Sequence, residues 1–555
     1  MSELFEKHRE TLEAAVRATR TREHYSAFNE SPSPRVYGEN AAAEGQAAFE
    51  AWRGTTFPLD PPGASGTVST EKSPFGFELE VSYPRVAPDG VDALLGAAAA
   101  GLRDFRDAGV EARVGVCLEI LHRIHGRIFE LANAVQHTSG QAFVMAFQAG
   151  GAHALDRALE SVAYAYAEMT RTPVTVVWEK PGRGEPLRME KTFTPVPRGI
   201  SLVIGCNTFP TWNSYPGLFA SLACGNPVVV KPHPGAVLPL AITVQAAQEV
   251  LAEAGFDPHL MTLAAEDPAD GLAAVLAVRP EVKLVDFTGS NAFGDWLEAN
   301  ATQATVFTEK AGVNTVVVDS TDSFKGLCTN LAFSFSLYTG QMCTAPQNVY
   351  IPSGGIETDE GPKTVAEVAA GIGAAMDRLL GDDAKAVELL GGVVNEGVLE
   401  RLSSAGSRGT VHVPSRTVRH PAFEGAVVRT PTLVGLTVKD TDVYESECFG
   451  PVAYLIETSG TEESIDLFRS TVQEHGAMTA AVYSTSPAVV ESMRSAALDA
   501  GVALSENLTG GVFVNQSSAF SDFHGTGANP AANASYTDTA YVANRFRTVQ
   551  SRRHV

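Results

Sequence analysis

The chain carries six cysteines: Cys117, Cys206, Cys224, Cys328, Cys343 and Cys448. Cys343 stands out, because Gly340-Gln341-Met342 precedes it and a Thr-Ala-Pro segment that could start a helix or strand follows it. At a helix end a thiol is stabilised as the thiolate, which is the nucleophile. Burial as a structural thiol is the ordinary alternative, and it suits Cys117, Cys206, Cys224 and Cys328. Glu309, between apolar segments in Phe307-Thr308-Glu309-Lys310-Ala311-Gly312, is a candidate general base of raised pKa or else an exposed strand-edge glutamate. Lys231 ends the apolar run Val228-Val229-Val230-Lys231-Pro232, where it could reach a ribose hydroxyl or simply face solvent. Phe287-Thr288-Gly289-Ser290-Asn291-Ala292-Phe293-Gly294 joins a strand to a helix and leaves backbone N–H groups around Gly289 and Ser290 open to a phosphate, although it is neither GxGxxG nor a Walker motif. In Glu445-Ser446-Glu447-Cys448-Phe449-Gly450-Pro451, a carboxylate suits a ribose and Phe449 a flat ring; a turn with an apolar plug is the other reading.

The elements that must hold these groups read as α/β. From Asp92 to about Thr170 the apolar period is helical, with Leu118, Leu121, Ile124, Ile128, Leu131 and Val135 on one face and Gly109, Gly140 and Gly150-Gly151 as breaks. Val174, Val176 and Trp178 alternate with Thr175, Val177 and Glu179, then Pro181-Gly182-Arg183-Gly184 turns the chain into Leu187–Phe193: a long hairpin. Apolar strands at 199–205, 227–231 and 284–287 alternate with helices such as 236–254, which predicts a parallel sheet covered on both faces. A second such series follows Glu309, with strands near 315–318, 349–351, 480–483 and 512–515.

The 555 residues suggest about three structural units. With 44% hydrophobic and 19% charged residues the chain can bury a core, which excludes a disordered polypeptide. A net charge of −23 argues against nucleic-acid and membrane-surface partners. No apolar run is long enough to span a bilayer, and the charged start MSELFEKHRE is unlike a signal peptide. Sparse cysteines without CxxC point to a reducing cytoplasm and to no metal site.

Taken in order, the motifs resemble those of the aldehyde dehydrogenase superfamily from about residue 100 onward. Ala223-Cys224-Gly225-Asn226-Pro227-Val228-Val229-Val230-Lys231-Pro232, Phe287-Thr288-Gly289-Ser290, Glu309, Gly340-Gln341-Met342-Cys343 and Glu447-Cys448-Phe449-Gly450-Pro451 carry the likeness. Within the superfamily, Pro197–Pro210, Lys231-Pro232-His233-Pro234 and Phe523-His524-Gly525-Thr526-Gly527 look most like the phenylacetic-acid degradation branch. Some relatives there carry a fused hydratase domain, and none is expected here.

The resemblance implies two Rossmann-like parallel-sheet domains and a β oligomerisation hairpin. It divides the chain into an NAD(P)-binding domain at 1–172 and 196–308 with an N-terminal helical extension, a catalytic domain at 309–535, and oligomerisation strands at 173–195 and 536–555. Cys343 is expected to attack an aldehyde, hydride to pass to the cofactor, and Glu309 to activate the water that releases the acid. Lys231, Gly289, Ser290, Glu447 and Phe449 are expected around the cofactor. The family's oxyanion amide sits directly before Phe-Pro; here that place is Thr208, so Asn207 is chosen and Thr208 kept as its rival. The glutamate that favours NAD three residues after the lysine is Pro234 here, which points to NADP, with NAD as the alternative. The family's Glu-Leu-Gly-Gly becomes Glu309-Lys310-Ala311-Gly312, and the retained glutamate argues for a free-acid product. The expected substrate is a CoA-linked semialdehyde of aromatic-acid breakdown. The alternatives are an aromatic or fatty aldehyde of broad range, or a silent NADP-binding scaffold. A homodimer or dimer of dimers is expected. His137, His233 and His524 read as structural.

Overall fold

The computed structural model describes residues 2–310 and 312–555. Its first sheet has five parallel strands in the order Thr305–Glu309, Val282–Thr288, Ile200–Ile204, Val228–Lys231, Met261–Leu263. Both faces are covered, which is why these strands read as continuous apolar runs. Val203, Val228 and Val230 enter one apolar cluster, while Leu202, Ile204 and Val229 enter another on the opposite face. Strand order reverses between Val282–Thr288 and Ile200–Ile204. At such a switch point the chain leaves neighbouring strand ends in opposite directions and opens a crevice. Gly205–Thr208 and Gly289-Ser290 flank that crevice.

The second sheet runs Thr410–Val413, Thr432–Thr437, Val452–Thr458, Asn348–Pro352, Thr315–Val318, Ala480–Tyr483, Leu504–Glu506. Only its first strand is antiparallel. Val316 and Val318 face one cluster and Val317 the other, the period of two expected of a strand buried on both sides. The strand expected at 512–515 is a loop, and the last strand lies at Leu504–Glu506 instead. The Asn330 amide donates to the carbonyls of Gly510 and Val512, Phe513 stacks on Phe333 at 3.8 Å, and Val512 is exposed. Side-chain partners have taken the place of a ladder.

The helical stretch divides into Val110–His125, Ile128–Ser139, Phe143–Phe147, a π-helical turn at Gln148–His153, and Ala154–Met169. The residues before 64 form helices that pack on this layer: Ser2–Lys7 on Val110–His125, Arg9–Thr21 on Ala154–Met169, and Ala41–Trp52 on Ile128–Ser139. Gly45 permits the last of these, since a Cβ there would stand 2.2 Å from Phe129 Cβ.

The hairpin strands Thr175–Lys180 and Leu187–Pro197 pair antiparallel, and Phe546–His554 adds a third strand against Leu187–Pro197. Arg545 anchors that tail: fully buried, it pairs both guanidinium nitrogens with Asp286 of the first sheet at 2.6 and 2.8 Å. Tyr541 Oη also donates to Asp286, at 2.7 Å. Removing one partner of such a buried pair leaves an uncompensated charge and costs about 3–5 kcal/mol. Among the described residues no helix is long and apolar enough to cross a membrane.

Candidate active site

Cys343 lies on the loop between helix Phe324–Ser336 and strand Asn348–Pro352, not at the expected helix end. Its place is set by a left-handed backbone run, Tyr338 (φ 53°), Thr339 (φ 56°) and Gly340 (φ 64°). Such angles cost about 1–3 kcal/mol per non-glycine residue and persist only where neighbours enforce them. Here Tyr338 N–H donates to Leu389 O at 2.9 Å and its hydroxyl to Ser139 O. Thr339 Oγ1 donates to Gly391 O at 2.9 Å and accepts from Gly391 N–H at 3.0 Å. Buried Asn314 grips the loop beyond: its Nδ2 donates to the carbonyls of Cys343 (2.8 Å) and Ala345 (2.9 Å), and its Oδ1 accepts from the N–H groups of Met478 and Thr479. The Cys343 N–H donates to no backbone carbonyl among the described residues.

Half-buried Cys343 sits where two cavities meet. One, of about 480 Å³, is walled by Val144, Phe209, Trp212, Phe333, Leu337 and Met342. The other, of about 540 Å³, occupies the strand-order switch of the first sheet. Lys231, Gly289, Ser290, Glu309, Glu447 and Phe449 all line the second cavity, so the structure brings every expected cofactor-side residue together with Cys343.

That second cavity suits a dinucleotide. Ser290, which lines this cavity, caps helix Asn291–Asn300 without a side-chain bond to it, at the helix end whose dipole favours an anion. A Cβ on Gly289 would stand 2.6 Å from the Phe287 ring. Glu447 faces this space, and burial raises its carboxyl to about 7, with Arg401 acting the other way. Arg401 Nε donates to Phe449 O at 2.8 Å and fixes the aromatic ring's segment. Lys231 is not free: its ammonium pairs with Glu266, both side chains buried, and Glu266 Oε2 accepts the Leu272 N–H at 2.6 Å. A carboxylate beside the lysine is therefore present despite Pro234, supplied from beyond strand Met261–Leu263.

Glu309 is 1% exposed. Burial would raise its carboxyl, but His524, Cys343 and Asn213 outweigh it and hold the group below the ordinary value. Asn213 Nδ2 donates to Glu309 Oε2 at 3.1 Å, and His524 Nε2 stands 3.2 Å from Oε1. The Cys343 thiol is pushed well up, by burial first and then by the Glu309 charge. Ala311, the altered residue behind Glu309, lies outside the described residues.

Asn207 was expected to hold the oxyanion. Its Nδ2 donates to Thr138 O at 2.9 Å, and it lines only the second cavity. Thr208 also lines only that cavity, its carbonyl accepting from Gln141 Nε2 at 2.8 Å. The amide that lines both cavities is Asn213, in the first turn of helix Pro210–Ala223. His524, expected to be structural, places its Nε2 3.8 Å from Cys343 Sγ. His137, by contrast, stacks on Phe49 at 4.9 Å within the core. Asn213 and Glu266 had a signal in their position, one beside Phe209-Pro210 and the other at a strand's carboxyl end. His524 had a signal only in its glycine-flanked motif.

The sequence profile of the aldehyde dehydrogenase family matches residues 64–527. The chain is 56% identical to an NAD-dependent aldehyde dehydrogenase from Burkholderia multivorans, whose crystal structure superposes with a TM-score of 0.97 over 100% of this chain and 99% of that one. A 1-pyrroline-5-carboxylate dehydrogenase from Thermus thermophilus shares the fold at 19% identity, with a TM-score of 0.72 over 96% of this chain and 99% of that chain. Geranial dehydrogenase from Castellaniella defragrans is 26% identical over 70% of this chain and 78% of its own. The α-ketoglutarate semialdehyde dehydrogenase of Haloferax volcanii is 28% identical over 51% of this chain and 55% of its own length; a Gibberella fujikuroi relative is also matched over only 55% of its length.

Gly340 tests the loop geometry. A Cβ there would meet Gly450 O at 2.5 Å, at a positive φ. Gly340→Ala is expected to lower the thermal midpoint and to slow alkylation of Cys343 by about tenfold or more. Gly96, exposed on helix Val91–Ala100 with open space around it, should accept alanine at no cost. Equal midpoints and alkylation rates for the Gly340 variant and the unsubstituted protein would contradict this reading.

Proposed function

Because the chain belongs to the aldehyde dehydrogenase family, we propose that it oxidises an aromatic aldehyde to the carboxylic acid through a thioester on Cys343, with NAD as hydride acceptor. The observation that carries this is the position of Cys343 at the junction of a cavity with an aromatic wall and one lined by Lys231, Gly289, Ser290 and Glu447. The sulfur attacks the carbonyl carbon of an aldehyde seated against Phe209, Trp212 and Phe333. The Cys343 N–H and the second N–H of the Asn213 amide face the growing oxyanion. The bound dinucleotide supplies the hydride acceptor. Glu309, kept ionised by its neighbours, then takes a proton from the water that cleaves the thioester.

The choice of substrate rests on the cavity wall. Among the described residues no lysine or arginine lines this cavity to pair with the phosphates of coenzyme A. This favours a free aromatic aldehyde over the CoA-linked semialdehyde that the Pro197–Pro210 and Phe523–Gly527 segments bring to mind by their likeness to phenylacetic-acid degradation proteins. A panel of aromatic, short aliphatic and CoA-linked aldehydes, followed by NADH absorbance, is expected to give the highest kcat/KM with an aromatic member and none with Cys343→Ala. Highest kcat/KM with the CoA-linked member would overturn the substrate class. Full turnover by Cys343→Ala would overturn the mechanism.

NAD is preferred in this reading because a 2′-phosphate arriving at Lys231 would face the Glu266 carboxylate, whereas ribose hydroxyls could donate to it. The NADP expectation rested on Pro234, and the nearby carboxylate removes its ground. Titration of the unsubstituted protein should show tighter binding of NAD than of NADP, and Glu266→Gln should narrow the gap by about tenfold. Tighter binding of NADP by the unsubstituted protein would contradict it.

The three-stranded sheet is proposed to join subunits. Its outer strands have free edges, and Val174, Val177, Leu187 and Val549 are exposed on it. Light scattering should give twice or four times the 58.6 kDa of one chain; the mass of a single chain would contradict it.

A further inference from the structure

Three side chains converge in the junction between the cavities: the reactive atoms of Cys343, Glu309 and His524 lie within 4.8 Å of one another. The family mechanism outlined above uses two of them. His524 arrives from a distant loop and is held there rigidly. Its N–H donates to Tyr536 O and its carbonyl accepts from Tyr536 N–H, both at 2.9 Å, and its ring meets the Trp212 ring edge-on at 4.5 Å. It is 4% exposed. Its Nε2 faces the sulfur at 3.8 Å and the buried Glu309 Oε1 at 3.2 Å.

A cation beside the sulfur would favour its thiolate, and the carboxylates around it do not supply one. Glu309 opposes a second negative charge, and Glu447 acts on the sulfur in the same sense. Tyr536, which stacks on His524, is a buried phenol. Arg157, behind Trp212, is committed to Glu160, to the carbonyl of Asp522 and to Ser517. Among the described residues facing the sulfur, only His524 can become a cation in contact with it.

Resting on the aldehyde-oxidation reading above, we infer that His524 is a catalytic residue that takes the Cys343 proton and returns it. The S–H proton moves to Nε2, and the freed sulfur pair forms the C–S bond while the carbonyl π pair moves to oxygen. A nicotinamide dinucleotide held in the second cavity would take the hydride, with its electron pair, from the former aldehyde carbon, leaving the thioester. In the second half, water attacks the thioester and gives a proton to Glu309. The C–S bond breaks, its pair returns to sulfur, and the sulfur recovers the proton from His524. The Glu309 proton and that of the product acid pass to solvent. Glu309 Oε1 meanwhile accepts from Nε2–H, so one carboxylate both activates water and steadies the imidazolium.

The test is the alkylation rate of Cys343 by iodoacetamide as a function of pH, with the modified residue located by peptide mass spectrometry. An unassisted thiol ionises near pH 8.5, and one buried beside a carboxylate higher still. With His524 as acceptor, the unsubstituted protein is expected to show its inflection below about pH 7.5 and fast alkylation at neutrality. His524→Gln should lose at least about tenfold of the neutral rate and move the inflection above about pH 9. The profile of the unsubstituted protein decides even if the variant fails to fold: a single inflection above about pH 9 overturns the proposal. Identical, reactive profiles in protein and variant overturn it while leaving aldehyde oxidation standing. A Cys343 inert in both at every pH overturns the proposal and the aldehyde-oxidation reading together.

Discussion

A buried carboxylate placed against a thiol is the constraint around which this molecule is organised. The carboxylate opposes ionisation of the thiol, since two negative charges in a poorly solvated space repel strongly, while the thiol's hydrogen bond helps keep the carboxylate charged. Their coexistence needs donors, and the fold delivers them from far apart in sequence: Asn213 from a helix of the first domain and His524 from a loop near the end of the chain. Glu309 itself ends the outer strand of the first sheet. The Cys343 loop precedes a strand of the second sheet, and Asn314 fixes it by two hydrogen bonds to its carbonyls while accepting two more from Met478 and Thr479. The site exists only where the two lobes meet.

The same meeting creates the two cavities. The switch of strand order in the first sheet opens the larger one beside Lys231, Gly289 and Ser290. The π-helical turn at Gln148–His153 and the helical layer below it wall the smaller one. Helices preceding residue 64 reinforce that layer, and Glu30 from this extension bonds His153 at 2.6 Å at the cavity's rim. The N-terminal segment thus reaches the substrate side as well as bracing the core.

Much of this was legible in the sequence because it is local. Apolar strands at 200–204 and 228–231, the glycine turn at Gly289, and Glu309 and Cys343 themselves lie in short segments whose composition reflects their environment. What was not legible depends on contacts across the fold. The Asn207 amide is taken by Thr138 O, a partner from a helix far upstream. Glu266 acquires meaning only because strand Met261–Leu263 lies beside Val228–Lys231. The loop at 512–515 has an apolar pattern, yet Asn330 claims the carbonyls of Val512 and, just before it, Gly510. His524 looked like one histidine in a glycine-rich turn, and its pairing with Tyr536 is what aims it at the sulfur.

The central claim is that the Cys343 sulfur carries the oxidised substrate until Glu309 delivers water to it. Intact-mass analysis of Glu309→Gln, quenched shortly after mixing with NAD and an aromatic aldehyde, tests this most directly. The account predicts a population bearing one acyl group, mapped to Cys343 and formed with a matching burst of NADH. An NADH burst with no acyl group on the protein would contradict it.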